Sequence, residues 1–231
     1  MKFKIEKISE IEKTFRVSNI INNFDIPEWK IKETFEGEID IEWKDWNVWI
    51  IVWPSGTGKT TIAKELFPDC YIFNQEYKEK SVIDDMPKNK NIKEITKAFT
   101  SVWFASPPSW LKPYSVLSNG EKMRCDLAKA ILDEKDLIVF DEFTSVVNRE
   151  VAKTGSYAIQ KAVRKIWKKF IAVWCHSDII EWLEPDWVYD TSTQRFFFAQ
   201  INTKDQKLNW EYIKWFEIGK KTGSLLRSII I

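Results

Sequence analysis

A chain of 231 residues with Lys+Arg 35 against Asp+Glu 34 has a net charge of +1, so no global field draws it to nucleic acid or acidic lipid. With 44% hydrophobic and 30% charged residues it has the composition of a globular protein, neither disordered nor bilayer-spanning, and needs no disulfide or metal to build a core. Cys70, Cys125 and Cys175 are scattered, with no Cys-x-x-Cys pair. That points to a reducing, cytoplasmic setting and away from a disulfide scaffold or zinc ribbon. The N-terminus, Met-Lys-Phe-Lys-Ile-Glu-Lys, lacks the apolar stretch of a signal peptide.

Along the chain, the first fifty residues alternate apolar and charged positions, as in Ile31-Lys32-Glu33-Thr34-Phe35 and Glu38-Ile39-Asp40-Ile41-Glu42, and read as short antiparallel strands. Val48-Trp49-Ile50-Ile51-Val52 is a continuous apolar run, expected as a strand buried on both faces. A Gly-containing loop and a helix from about Thr60 to Leu66 follow, then a short strand at Cys70-Tyr71-Ile72-Phe73. Residues 81–104 are expected to be partly helical, and the three prolines of 105–116 mark a loop. Met123, Leu127 and Ile131 recur every fourth residue on one buried helix face. Leu137-Ile138-Val139-Phe140 and Phe170-Ile171-Ala172-Val173 are further buried strands, separated by a helix over 149–169. A strand pair and a loose end close the chain. Strands alternating with helices predict an α/β fold with a mainly parallel sheet flanked by helices, preceded by an antiparallel β subdomain. The expected division is a main domain at 1–195 and a β-rich tail at 196–231, with Phe196, Phe197 and Phe198 in an edge strand.

Between the first buried strand and its helix lies Trp53-Pro54-Ser55-Gly56-Thr57-Gly58-Lys59-Thr60-Thr61. Its second half is the phosphate-loop pattern: backbone amides form a nest for phosphate oxygens, and the following helix aims its positive end at them. Lys59 is expected to bridge the β- and γ-phosphates, and the Thr60 hydroxyl to ligate Mg²⁺. The pattern asks for glycine where this chain has Trp53, and a large ring at so tight a loop clashes with its backbone.

Leu117-Ser118-Asn119-Gly120-Glu121 opens the helix bearing Met123, so Ser118 and Gly120 sit at a helix N-terminus, a second anion site; Ser-Asn-Gly-Glu also reads as a plain helix cap. Beyond it the buried strand ends in Asp141-Glu142, and an Asp so placed beside a phosphate loop can hold Mg²⁺ through water. His176, the single histidine, follows the third buried strand.

Taken in order, these motifs resemble those of the ATP-binding-cassette (ABC) ATPases across roughly residues 15–195. The resemblance implies a P-loop ATPase that binds ATP and Mg²⁺ and forms a head-to-tail homodimer, each nucleotide lying between Lys59 of one subunit and Ser118 of the other. It further implies that Glu142 is the general base, that His176 contacts the γ-phosphate, and that Gln75 senses Mg²⁺ and water beside Thr60 and Asp141. Ser145-Val146-Val147-Asn148 matches the family's dimer-contacting loop, with Asn148 where Asp is usual. The adenine-stacking aromatic lies upstream, with Phe24, Trp29 and Phe35 as candidates. The blocks around Trp110 and Trp182–Trp187 resemble soluble prokaryotic and phage members. The short span from Lys59 to Ser118 leaves little room for a membrane-docking subdomain. A soluble, non-transport ATPase acting with nucleic acid or an unidentified protein is therefore the first expectation. The nucleotide-binding subunit of a transporter, or an ATP-binding protein with impaired hydrolysis, are the alternatives.

Trp is 13 and Gly only 7, the reverse of ordinary usage. Trp53 replaces a phosphate-loop glycine and Trp103 a residue the family commonly has as glycine, while Trp49, Trp167 and Trp174 interrupt a strand, a helix end and a strand end. Lys far outnumbers Arg, as in an AT-rich genome. The expectation is that UGA codons meaning glycine stand here as Trp. Trp46, Trp110, Trp182 and Trp187 read as true tryptophans. The cations from Lys161 to Lys169 read as a solvated helix face rather than a phosphate-backbone contact.

Overall fold

A computed structural model describes residues 2–9, 12–25, 31–38, 45–52, 59–70, 72, 75–174, 179–190, 195–198, 201–202 and 207–208. The chain divides into two compact units, Met1–Trp43 and Lys44–Ile231. In the first, β1 (Lys2–Ser9) pairs antiparallel with β2 (Ile31–Glu38), Ile5 opposite Phe35, as the alternating pattern predicts. Between them the sequence reading missed α1 (Phe15–Asn23). Its start was marked: Thr14 caps it, the Thr14 Oγ1 accepting from Val17 N at 3.3 Å.

The second unit is built on β3 (Val48–Val52), β4 (Leu137–Asp141), β5 (Lys169–Trp174) and β6 (Trp187–Asp190), joined in the order β4-β5-β3-β6 and all parallel. At the far edge β7 (Arg195–Phe198) runs antiparallel to β6, so the triple-Phe segment is an edge strand. A two-stranded pair, β8 (Ile201–Asn202) and β9 (Lys207–Leu208), follows. The apolar runs are buried, apart from half-buried Leu137 at the start of β4, because helices cover the sheet, with α2 (Lys59–Leu66) and α6 (Arg149–Ile166) directly against its strands; α3 (Ile92–Ser101), α4 (Pro107–Trp110), α5 (Asn119–Leu132) and α7 (Ile180–Leu183) complete the unit. On α5 the predicted stripe of Met123 and Leu127 faces the core, and Phe143 fills the space between Phe140 and Phe170 with edge-on ring contacts.

Two local expectations fail for identifiable reasons. The segment read as a strand from Cys70 opens as a 3₁₀ turn, Pro68–Cys70, in which Cys70 N donates to Phe67 O, while Tyr71 and Phe73 lie outside the described residues; Pro68, two residues after the end of α2, favours that tight turn. The proline-rich stretch is not all loop: Pro107 and Pro108 occupy the first positions of α4, where their missing N–H groups cost nothing.

The start of β3 is anchored by one carboxylate. Asp186 Oδ2 accepts from the backbone N–H of Asn47 and Val48 at 2.8 and 2.9 Å, while Arg164 on α6 reaches both Asp186 oxygens at 2.9 and 3.0 Å. Arg164 also donates to Glu184 O at 2.6 Å. Lys168 closes the C-terminal end of α5 by donating to the carbonyls of Asp133 and Lys135, and Lys169 lies over the Trp46 ring. Three of the cations between 161 and 169 therefore hold the fold, leaving Lys161 and Lys165 on the solvated face.

The tryptophans fall into two groups. Trp46, Trp182 and Trp187 are buried, and Trp110 donates its ring N–H to Phe104 O at 2.9 Å. Trp49 is also buried, edge-on to Trp46. Trp103 and Trp167 instead have φ of 62° and 61° and are 62% and 84% exposed. Each ends a helix in the same way: Phe104 N donates back to Phe99 O after α3, and Lys168 N to Val163 O after α6. That bond pattern places a left-handed residue after the last turn, the position at which glycine is favoured. A side chain there costs about 1 kcal/mol. Introducing Trp103→Gly and Trp167→Gly together should raise the melting temperature by several degrees, at roughly 2–4 °C per kcal/mol for a chain of this size. A lower melting temperature would count against glycine at these positions.

Candidate functional site

Parallel strands present all their C-terminal ends at one edge of the sheet, where ligands of open α/β folds bind. At that edge β3 ends at Val52 and α2 begins at Lys59. Trp53, Pro54, Ser55, Gly56, Thr57 and Gly58 lie outside the described residues, as does His176. Lys59 opens α2 and Thr61 lies in its first turn. From α2, Thr60 Oγ1 donates to Asp141 Oδ2 at the end of β4, at 2.5 Å across 81 residues of sequence. Asp141 is 2% exposed, and its other oxygen accepts from Glu142 N at 2.9 Å. A buried carboxylate touching a hydroxyl at a helix start offers hard oxygen donors of the type Mg²⁺ takes.

Directly after Asp141 the backbone is held in an uncommon shape. Glu142 and Thr144 have φ of 49° and 68°, and Ser145 N closes a turn onto Glu142 O at 2.9 Å. This turn buries Asp141 and exposes the neighbouring Glu142. Such strain clusters at functional sites.

The Leu117–Glu121 segment forms a complete helix cap. Ser118 Oγ accepts from Glu121 N at 3.4 Å, while the Glu121 carboxylate accepts from Ser118 N at 2.9 Å and Ser118 Oγ at 2.8 Å. Ser109 Oγ donates to it as well, at 2.6 Å, and these donors, Ser109 first, hold the Glu121 carboxyl down at about 2. Leu117 is buried behind the cap. The space at Gly120 is tight, since a Cβ there would meet Val151 Cγ1 at 3.2 Å. Asn119 Nδ2 reaches Val146 O at 3.5 Å, joining this segment to the loop after β4. Asn148 has a role the sequence reading missed: its Oδ1 accepts from Val151 N at 2.9 Å and caps α6.

Gln75 is not brought to the Thr60–Asp141 pair. Its Oε1 faces Tyr77 Oη at 3.2 Å, and the residue lines a cavity of about 460 Å³ with Leu137 and Ile138, at the opposite end of β4 from Asp141. Of the aromatic candidates, Phe24 is exposed in the first unit, and the side chains of Trp29 and Phe35 lie outside the described residues.

The same architecture is found in solved nucleotide-binding proteins. The ATP-binding cassette MJ0796, determined as a dimer in a post-hydrolysis state bound to ADP and Pi, superposes with a TM-score of 0.56 at 13% identity, over 84% of this chain and 98% of that one. The fold is that of an ABC ATPase. A second dimeric structure, of the same bacterial ABC transporter cassette, gives a TM-score of 0.54 at 13% identity, covering 81% and 94% of the two chains. A bacterial Atm1-family ABC exporter with ATP bound gives 0.51 at 16% identity over 73% of this chain, which spans only 35% of the exporter. No family model and no curated protein matches the sequence. Among the described residues no helix is long and apolar enough to cross a membrane, and no group of three or more His, Cys, Asp or Glu side chains is arranged to hold a metal.

Proposed function

We propose that this chain binds Mg-ATP and hydrolyses it as an ABC-type ATPase, working as a head-to-tail homodimer. The observation that carries this reading is the Thr60–Asp141 contact, which joins the phosphate-loop helix to the acidic strand end at the ligand-binding edge of the sheet. Backbone amides of residues 53–58 and the Lys59 ammonium bind the triphosphate, and Thr61 extends the first turn of α2 beneath it. Thr60 and Asp141 hold the cation directly or through water; when bound, Mg²⁺ offsets negative charge on the phosphates. Glu142, exposed beside the buried Asp141, accepts the proton of the attacking water, and His176 donates a hydrogen bond to the γ-phosphate. Leu117–Glu121 presents the N-terminus of α5 to the nucleotide held by the second copy.

Substituting Glu142→Gln is expected to abolish turnover while retaining Mg-ATP binding, so that the ATP-bound dimer accumulates in light scattering. Unchanged phosphate release from this variant would remove Glu142 from the reaction.

The cycle serves a non-transport process in the cytoplasm; the non-transport part of this reading is supported by the short stretch between α2 and α5, whose described residues form α3, α4 and short turns. Three of the five cations in the Lys161–Lys169 segment are engaged within the fold, which weighs against that segment as a phosphate-backbone contact. The domain spans 1–195, followed by the β-rich 196–231 segment. In the native protein Trp53, Trp103 and Trp167 are glycines written as Trp through UGA recoding. The left-handed, exposed Trp103 and Trp167 support this. Reading the gene decides it: UGA at codons 53, 103 and 167 and glycine in the peptide masses are expected, whereas UGG codons end the idea.

A further inference from the structure

Away from the Thr60–Asp141 pair, α5 carries a half-buried acid, Asp126, with an unusual set of partners. Asp126 accepts from Tyr77 Oη through Oδ1 and from Tyr114 Oη through Oδ2, both at 2.8 Å. The two phenol rings stack with centroids 3.9 Å apart and planes 9° from parallel. Burial lifts the Asp126 carboxyl to about 6, against the pull of these two donors and of Lys129 and Lys122. Lys129 adds a second tie, its ammonium 4.1 Å from the Tyr77 ring centre and donating to Glu76 O at 2.6 Å. The two tyrosines lie on different segments of the chain. Tyr114 opens the 3₁₀ turn Tyr114–Val116 that leads into Leu117 and Ser118, and Tyr77 follows Gln75. The Tyr77 hydroxyl has one proton and two acceptors in reach, Asp126 Oδ1 at 2.8 Å and Gln75 Oε1 at 3.2 Å.

We infer that Asp126 is a positioning residue, a latch that ties the Gln75–Tyr77 segment and the turn before Ser118 to the body of α5, so that the α5 N-terminus meets the partner's nucleotide in one fixed register. The inference rests on the ATPase reading and adds a residue that touches neither nucleotide nor cation. Both phenols converge on one carboxylate, so losing that carboxylate removes a tie to α5 from two segments at once, taking the acceptor from the half-buried Tyr114 hydroxyl and leaving Tyr77 the longer contact to Gln75 Oε1. Nucleotide binding within one subunit runs through Lys59, Thr60 and Asp141 and is untouched. Closure onto the second copy depends on where Ser118 stands and is weakened.

The test uses the full chain with Trp53→Gly and Glu142→Gln, in which Asp126→Ala, Asp126→Asn and the pair Tyr77→Phe with Tyr114→Phe are each introduced. Nucleotide affinity is read by titration with Mg-ATP, and dimer formation by light scattering against protein concentration. Asp126→Ala is expected to leave affinity within about twofold and to raise the concentration needed for the ATP-bound dimer by tenfold or more. Asp126→Asn, which keeps the shape and one acceptor oxygen, should recover part of the loss and guards against a folding defect. Adding Asp126→Ala to the double Phe variant should cost little more, because all three groups act as one unit. Dimerisation of all variants at the parent's concentration would overturn the latch alone, as would a parallel loss of affinity and dimer. A parent that binds Mg-ATP without dimerising, or fails to bind it, would overturn the ATPase reading and the latch with it.

Discussion

Asp141→Ala is expected to lower ATP turnover by about a hundredfold or more, roughly 3 kcal/mol of transition-state stabilisation. The side chain is buried and is the recorded acceptor of the Thr60 hydroxyl and of the Glu142 N–H. Its removal therefore takes away a proposed cation ligand and frees two neighbours it holds in place. Asp141→Asn separates these roles. The amide keeps an oxygen for Thr60 or for the Glu142 N–H but loses the charge, so turnover should stay low while the melting temperature recovers. Steady-state phosphate release and thermal unfolding on the same samples check both statements. An Asp141→Asn variant as active as the parent would place the cation elsewhere.

The largest effect on stability is expected at Asp186→Ala. One carboxylate there accepts two backbone N–H groups at the start of β3 and both contacts from Arg164. The pair is partly shielded, with side-chain exposures of 28% and 19% for Arg164 and Asp186. Removing one partner leaves a half-buried guanidinium and two strand-end donors without their acceptor. Discounted for solvent screening, the cost is about 3 kcal/mol, which lowers the melting temperature by roughly 6–12 °C. Lys161→Ala, on the solvated face of the same helix, is the control and should change stability by less than about 0.5 kcal/mol. Thermal unfolding of the two variants side by side decides whether the anchor or the general charge of α6 matters.

The fold was legible wherever burial imposed a period. Val48–Val52, Leu137–Phe140 and Phe170–Val173 are apolar without a break because both faces of a parallel sheet are covered, and all three are strands. The α5 stripe was legible for the same reason. Where burial is weak, the pattern carried less: α1 has no buried residue, so only its Thr14 cap announced it, and the turn at Pro68 was hidden behind apolar neighbours that suit either a strand or a turn.

Within the candidate site, Thr60 and Asp141 could be paired from sequence because each sits at a junction of a buried element with a loop. Neither the strained turn at Glu142 and Thr144 nor the cap formed by Asn148 leaves such a mark, since both are settled by backbone angles and single hydrogen bonds. Gln75 was placed by order along the chain alone, and three-dimensional contacts set it with Tyr77 instead. The Asp126 latch was invisible for a related reason: Tyr77 and Tyr114 lie on separate segments, and nothing in either local pattern points to a shared acceptor. Trp103 and Trp167 show the converse case, in which a residue that breaks local chemistry was noticed in the sequence and its left-handed backbone supplied the physical reason.

The central claim is that this chain grips a triphosphate through Lys59, Thr60 and Asp141. Calorimetric titration of Mg-ATP into the full chain with glycine at 53, beside the same chain carrying Lys59→Ala, tests it most directly. Saturable binding of one nucleotide per chain, weakened at least about tenfold by Lys59→Ala, is the predicted result; no binding, or binding that Lys59→Ala leaves unchanged, would contradict it.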